Sequence, residues 1–210
     1  DSKKLAGNLG VHYDEIPIQN VLHSFTNALD PVFRNMPEDV TEENLQARIR
    51  GTMLMAISNK FGNILLNTSN KSESAVGYAT LYGDMSGALS VLGDVYKTDV
   101  YKLAECINQD KMIIPENIMQ KAPSAELRPD QKDSDALPEY ELLDKILFQY
   151  IELHKSTSEI IEEGFDEETV KKMIHMVNAN EYKRYQAPPV LRISSKAFGA
   201  GRRMPLVAKY

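Results

Sequence analysis

One cysteine, Cys106, is all that the 210 residues contain. This excludes an internal disulfide and a cysteine-based zinc cluster, and nothing argues for an oxidising compartment. No apolar run approaches the roughly 20 residues that cross a bilayer. The opening DSKKLAGNLG has neither the apolar core nor the cleavage site of a secretory leader. These absences set the expectation of a soluble, cytoplasmic protein with no membrane partner. Internal repeats and low-complexity segments are missing too. What is present is a 42 % apolar composition, enough to bury a real core in one domain with an appendage.

Acidic residues are absent from Tyr182 to Tyr210, where Lys183, Arg184, Arg192, Lys196, Arg202, Arg203 and Lys209 stand. The overall charge of −6 therefore divides into a body near −13 and a tail of +7. Such a tail seeks an anionic partner: the protein's own acidic body, a phosphate-bearing ligand or a nucleic acid.

Along the chain, residues 1–9 read as a helix closed by Gly10, Val11 to Ile18 as a short strand, and Val21 to Leu29 as a helix. The stretch PVFRNMPEDVTEEN reads as a loop that ends in a helix start with Thr41 as N-cap. The helix that follows places Leu45, Ile49, Met53, Ala56 and Ile57 on one face, with Asn44 and Arg48 one turn apart on an adjoining face. GNILL (62–66) reads as a buried strand, Glu73 to Leu81 as a helix, ALSVL (88–92) as another apolar stretch, and Thr98 to Ile107 as an amphipathic helix. Alternating strands and helices predict α/β architecture with a parallel sheet. Lys121 to Tyr140, rich in proline and charge, is expected to form a long loop of the kind that moves or binds. Leu142 to His154 and Glu167 to Asn178 read as helices. The core is assigned to 1–155, with a helical segment and the basic tail, 156–210, packed on it.

The polar run that follows GNILL carries two readings. Beyond the carboxyl ends of parallel strands a helix start offers free N–H groups to an anion. Equally, Asn70 and Glu73 have capping-box spacing, and Thr68 and Ser69 suit a turn.

Four blocks, in order, are TEENLQARIRGTMLM, NTSNKSESAVGYATLYGDMSG, KAPSAELRPDQKDSDALPEYELLD and NEYKRYQAPP. Together they resemble the NAD synthetases, in particular the synthetase domain of the glutamine-dependent branch, over nearly the whole chain. The resemblance implies a Rossmann-like, adenine nucleotide α-hydrolase-like parallel sheet with helices on both faces. It also implies ATP and magnesium, used to adenylate the nicotinate carboxylate of deamido-NAD, before ammonia displaces AMP and gives NAD. Pyrophosphate is the other product. Polyanionic reactants of this kind need metal and cationic side chains around them.

Position by position, the resemblance assigns Thr68, Lys97 and Ser124 to ATP, and Glu73 to magnesium beside the substrate. Asn44, Arg48 and Lys183 are assigned to deamido-NAD, and Asp84 belongs to the same pattern. Leu81, Ala88 and Tyr182 stand where the short ammonia-dependent enzymes carry Lys, Asp and His, so those contacts do not transfer. The expected partners are deamido-NAD, ATP, and ammonia or glutamine through a linked glutaminase domain. A homodimer is expected, with the helix around Asn44 to Ile57 as candidate contact, and no nucleic acid.

The family's SGGxDS phosphate loop does not occur in the 210 residues. The expectation is therefore of an N-terminally truncated chain that lacks the first strand and that loop, and that is inactive without them. Two alternatives stay open: another amide-forming ATP pyrophosphatase, such as a GMP synthetase, and a non-catalytic module that binds nucleotide or nucleic acid.

Overall fold

A computed structural model describes residues 1–34 and 36–206. Lys209 and Tyr210, which end the basic tail, lie outside the described residues. In chain order the elements are α1 (Ser2–Leu9), α2 (Gln19–Phe33), α3 (Val40–Phe61), β1 (Leu66–Asn67), α4 (Lys71–Val76), β2 (Leu89–Ser90), α5 (Lys97–Ile107) and α6 (Glu116–Gln120). A single 3₁₀ turn (Asp133–Asp135) precedes α7 (Tyr140–Ile151), α8 (Thr157–Glu162), α9 (Glu167–Ala179) and α10 (Glu181–Arg184).

Local chemistry explains most of these boundaries. α3 starts on a capping box in which Asp39 accepts the Thr41 amide and Glu42 accepts the Asp39 amide. The N-cap is thus Asp39, two residues before the expected Thr41, because only Asp39 has extended backbone there. α8 begins on a Ser156–Glu159 box, and Asp166 caps α9 through the Thr169 amide. α2 runs four residues past the expected Leu29 and carries Pro31 in its last turn.

The parallel pairing expected from the alternation of strands and helices is present, but the ladder is short. Leu66 pairs with Leu89 and Asn67 with Ser90, and Val190 adds a parallel bridge to Ser90. Two corrections follow. GNILL is not a buried strand: only its last residue is in β1, and Ile64 and Leu66 are exposed. Val11 to Ile18 forms no strand, since this stretch finds no backbone partner to pair with.

The apolar core sits against the helices and not between two sheet faces. Leu143, Ile146, Leu147 and Ile151 of α7 pack with Val170, Met173 and Val177 of α9, Ile160 of α8, and Ala75 and Val76 of α4. Helix α3 contributes Ile49 and Ala47, while Ala56, of the expected apolar face, is exposed. No helix among the described residues is long and apolar enough to cross a membrane.

The expected helix over Glu73 to Leu81 closes early, at Gly77. There the backbone turns left-handed, φ +71°, and a Cβ would stand 2.2 Å from the Asn180 side chain. Only glycine meets both conditions. Asn180 donates to the Val76 carbonyl across this gap at 2.9 Å, fastening the end of α9 to the end of α4.

Candidate functional site

Asn67 closes β1, and from it the chain turns directly into the start of α4. Its side-chain amide donates to the Asp84 carbonyl at 2.6 Å, while its side-chain oxygen accepts from the Ser69 amide and the Ser90 hydroxyl, both at 3.1 Å. A buried side chain satisfied on both ends fixes three segments at once. Cavities open on either side of it. One, of about 420 Å³, includes Ser69, Ser74, Lys183 and Arg203. The other, of about 370 Å³, includes Thr68, Asp84, Arg50 and the loop residues Ala125 to Leu127.

The start of α4 is capped as the spacing allowed. Asn70 accepts the Glu73 amide at 2.9 Å, and Glu73 Oε2 accepts the Asn70 amide at 3.2 Å. This uses one oxygen of Glu73. The other, Oε1, faces Lys97 Nζ at 3.4 Å. Burial pushes the Glu73 carboxyl up, and the Lys97 charge opposes that shift. Capping and a second role are therefore compatible on a single side chain.

Lys97 is placed from three directions. Its amide donates to Ser72 Oγ at 2.9 Å, and the same Ser72 hydroxyl bonds Asp144. Asp144 also accepts the Thr98 amide at 2.9 Å. The Lys97 ammonium lies 5.4 Å from the centroid of the Tyr140 ring. Tyr140 in turn donates to Asp133 Oδ2 at 2.7 Å. Burial leads in raising the Asp144 carboxyl, against the hydrogen bonds it receives. Nearby, burial and Asp133 push the Tyr78 hydroxyl up to about 12.

A second cluster forms on the turn after α4. Asn44 accepts from the Thr80 hydroxyl at 2.7 Å, Arg48 Nε donates to the Leu81 carbonyl at 3.2 Å, and Asp84 accepts the Thr80 amide at 2.6 Å. Lys183 Nζ donates to the carbonyls of Gly77 and Ala79 at 2.7 and 2.8 Å. Burial lowers the Lys183 ammonium's pKa, and the Asp84 charge opposes the shift. Asn44, Arg48, Asp84 and Lys183 are thus gathered on residues 77–84, although they come from three distant stretches of sequence.

Ser124 stands apart. Its hydroxyl accepts the Glu126 amide at 3.0 Å, a local turn, and no bond joins it to Glu73 or Lys97. Its loop is nonetheless held over α3: Gln46 donates to the Leu127 carbonyl at 2.9 Å, and Arg128 Nε meets Glu43 at 3.1 Å. The Asp133 amide donates to the Pro123 carbonyl at 2.9 Å, which ties the loop to the Tyr140 network.

One wholly buried charged group was not among the expected residues. Lys71 is wholly buried, and its ammonium bonds Asp94 at 2.7 Å, Ser194 Oγ at 2.9 Å and Glu152. Asp94 Oδ2 also accepts the amides of Ile193 and Ser194. Burial works to raise the Asp94 carboxyl, but these bonds outweigh it and hold it below the usual range. The basic tail is partly absorbed in the same manner. Arg184 is neutralised by Glu181 and by the carbonyls of Ser74, Ala75 and Val177, and lies over the Phe198 ring. A sequence signal existed for Asp144, a charged residue amid the apolar positions of α7. None existed for the partners of Lys71, which lie 23, 81 and 123 residues away.

Parallel strands joined through a capped helix, with polar side chains gathered past their ends, make this a helix-rich α/β domain with a small parallel sheet. The chain belongs to the NAD synthase family, whose model matches residues 1–187. It is 54 % identical over 209 residues to the glutamine-dependent NAD(+) synthetase of Acinetobacter baylyi, a match covering 99 % of this chain and 39 % of that protein. The solved glutamine-dependent NAD+ synthetase of Acinetobacter baumannii, in complex with ADP, is 46 % identical with a TM-score of 0.57, covering 98 % of this chain and 37 % of that one. A glutamine-dependent NAD(+) synthetase from Cytophaga hutchinsonii, at 22 % identity, has the same fold with a TM-score of 0.77, over 98 % of this chain and 36 % of that one. The chain spans about two-fifths of the length of the curated relatives it matches. These matches favour the NAD synthetase reading over the GMP synthetase and nucleic-acid alternatives.

Proposed function

We propose that this chain forms the synthetase part of an enzyme that makes NAD from deamido-NAD, using ATP for the activation and glutamine as the source of ammonia. The observation that carries this reading is the arrangement of two polar clusters on either end of one short helix. At its start, Glu73 and Lys97 form a half-buried carboxylate–ammonium pair. Past its end, Asn44, Arg48, Asp84 and Lys183 converge on residues 77–84.

In this reading the ATP phosphates lie toward Thr68 and Lys97, where a cation and the open end of β1 receive negative charge. Deamido-NAD lies toward Asn44, Arg48 and Lys183. The carboxylate of the nicotinate is a poor electrophile until adenylation gives it AMP as leaving group, with pyrophosphate released. Ammonia then attacks the acyl carbon, the C–O bond to AMP breaks, and the amide remains. The attacking nitrogen gives up a proton to solvent as the amide forms, and the Lys183 ammonium, fixed by the Gly77 and Ala79 carbonyls, offers positive charge to the substrate nearby.

Magnesium fits the donor set only as a cation completed by substrate. Among the described residues no group of three or more His, Cys, Asp or Glu side chains is placed to hold a metal. Glu73 offers one oxygen beyond its cap, which suits an ion that is bound through one or two carboxylates and phosphate oxygens. The ion supplies charge neutralisation on the phosphates when bound.

Ser124 and its loop serve as a cover that meets the nucleotide when it is bound. Exposed Leu54, Met55 and Phe61 on α3 suit the interface of a homodimer. The test is Glu73→Gln in the intact protein as its gene encodes it. Glutamine keeps an oxygen for the cap and removes the charge. Pyrophosphate release with deamido-NAD should fall at least about a hundredfold, with melting unchanged. Normal turnover in a normally folded variant would leave Glu73 with capping alone and refute the placement of the metal.

A further inference from the structure

A third cavity, of about 340 Å³, lies between the end of α7 and the turn that carries Arg202, and shares Arg203 with the 420 Å³ cavity. Tyr150, His154, Lys155, Gly201, Arg202 and Arg203 line it, and no carboxylate among the described residues does. Lys155 is shared with Glu163, which stands outside the lining, and Arg203 Nε donates to the Gly199 carbonyl at 3.1 Å.

Arg202 is the centre of this cavity. Its guanidinium carbon lies 5.3 Å from the centroid of the Tyr150 ring, and the Tyr150 hydroxyl is tied to Asn178 at 3.0 Å, so the platform is fixed. The turn that delivers Arg202 is equally constrained. Gly201 donates to the Ala197 carbonyl at 3.0 Å, a Cβ there would stand 2.6 Å from that oxygen, and Gly199 has φ +86°.

Despite this placement, Arg202 Nη1 is buried without a hydrogen-bond partner among the described residues. The Tyr96 hydroxyl is buried and unpartnered as well, and the Arg202 charge bears on it, opposing the burial that raises its pKa. Neither of these atoms opens into the cavity, whose lining of Arg202, Arg203, Lys155 and His154 is itself basic and calls for an occupant of the opposite charge.

We propose that this cavity binds a phosphate-type oxyanion, held by the Arg202 guanidinium with Arg203, Lys155 and His154 around it. The planar fork of arginine matches the oxygens of a phosphoryl group, which is either free or carried on a small molecule.

The experiment titrates inorganic phosphate into the intact protein by calorimetry at constant ionic strength, with a parallel arm using AMP. Saturable binding of phosphate is expected, weakened at least about tenfold by Arg202→Gln and unchanged by Lys97→Met. An Arg202-dependent component with phosphate alone assigns the site to the free ion, and one with AMP as well assigns it to phosphoryl-bearing molecules. Crystals soaked in selenate should show an anomalous peak in this cavity beside the Arg202 guanidinium, a readout that needs no variant. Tyr150→Leu, which removes the platform, substitutes for Arg202→Gln where that protein fails to fold. Absence of saturable binding overturns the proposal. So does binding that Lys97→Met abolishes and Arg202→Gln retains, or a cavity with no anomalous peak.

Discussion

Replacing Lys71 by methionine keeps the length and apolar stem of a side chain that has no exposed surface and removes the ammonium shared by Asp94, Glu152 and Ser194. Removal of one partner from a buried ion pair costs about 3–5 kcal/mol, since the other charge stays buried without compensation. The two carboxylates do not suffer equally. Asp94 retains the Ile193 amide at 2.8 Å, the Ser194 amide at 2.6 Å and the Ser194 hydroxyl at 2.8 Å. Among the described residues Glu152 retains only the Ser195 hydroxyl, at 3.5 Å. Glu152 is therefore the stranded charge, and Lys71→Met with Glu152→Gln should recover more than half of the loss, whereas Lys71→Met with Asp94→Asn should recover less. Denaturant unfolding followed by far-UV circular dichroism, with midpoint and slope fitted separately, measures each variant. The acid limb gives an independent check. The folded Asp94 carboxyl lies below its unfolded value of 3.8, so its contribution is complete above that value and disappears as pH falls through the folded one. Lys71→Met should flatten this part of the profile. A loss below about 1 kcal/mol, or greater recovery with Asp94→Asn than with Glu152→Gln, would refute the reasoning.

Gly77→Ala should lower stability by at least about 2 kcal/mol, because it strains a left-handed residue and collides with Asn180; a melting temperature within one degree of the parent's, roughly, would contradict that. Lys183→Met should raise KM for deamido-NAD about tenfold or more and leave KM for ATP unchanged; equal effects on both substrates would argue against its assignment. Arg128→Gln, which removes the ties to Glu43 and Asp135, should speed proteolysis between residues 121 and 137, with ATP and magnesium slowing it again. Cleavage at the same rate in every condition would show that these ion pairs do not hold the loop.

Helices whose ends are marked by local chemistry were legible in the sequence. Residues 1–9 and 98–107 were expected as helices and match α1 and α5 within one or two residues, and the Asn70–Glu73 box was visible as spacing before it was visible as two hydrogen bonds. The parallel pairing was foreseen in kind, while the extent of strands and their burial, which depend on distant partners, were not. Val11 to Ile18 alternates as a strand does but pairs with nothing, and the apolar GNILL is mostly exposed, since burial is set by neighbours and not by hydropathy alone. The cluster on residues 77–84 illustrates the same limit. Asn44, Arg48, Asp84 and Lys183 could be named from resemblance, but the carbonyls that orient Lys183 lie more than a hundred residues upstream. Asn67 stood in the sequence only as the first residue of a matched block with no role assigned to it, although it joins three segments.

Helix α4 is only six residues long, and little inside it makes it stand. Its first residue is held by Glu152 and Ser194, and its last carbonyls by Asn180, Arg184 and Lys183. During synthesis the ribosome releases α4 long before any of these, so the nascent chain exposes Lys71 and Glu73 for the time needed to add more than 120 further residues. A six-residue segment does not persist as helix alone in water. The start of α4 is therefore secured only when the stretch around Ser194 emerges, and a message cut short before that codon yields a chain in which the buried Lys71 lacks one of its partners.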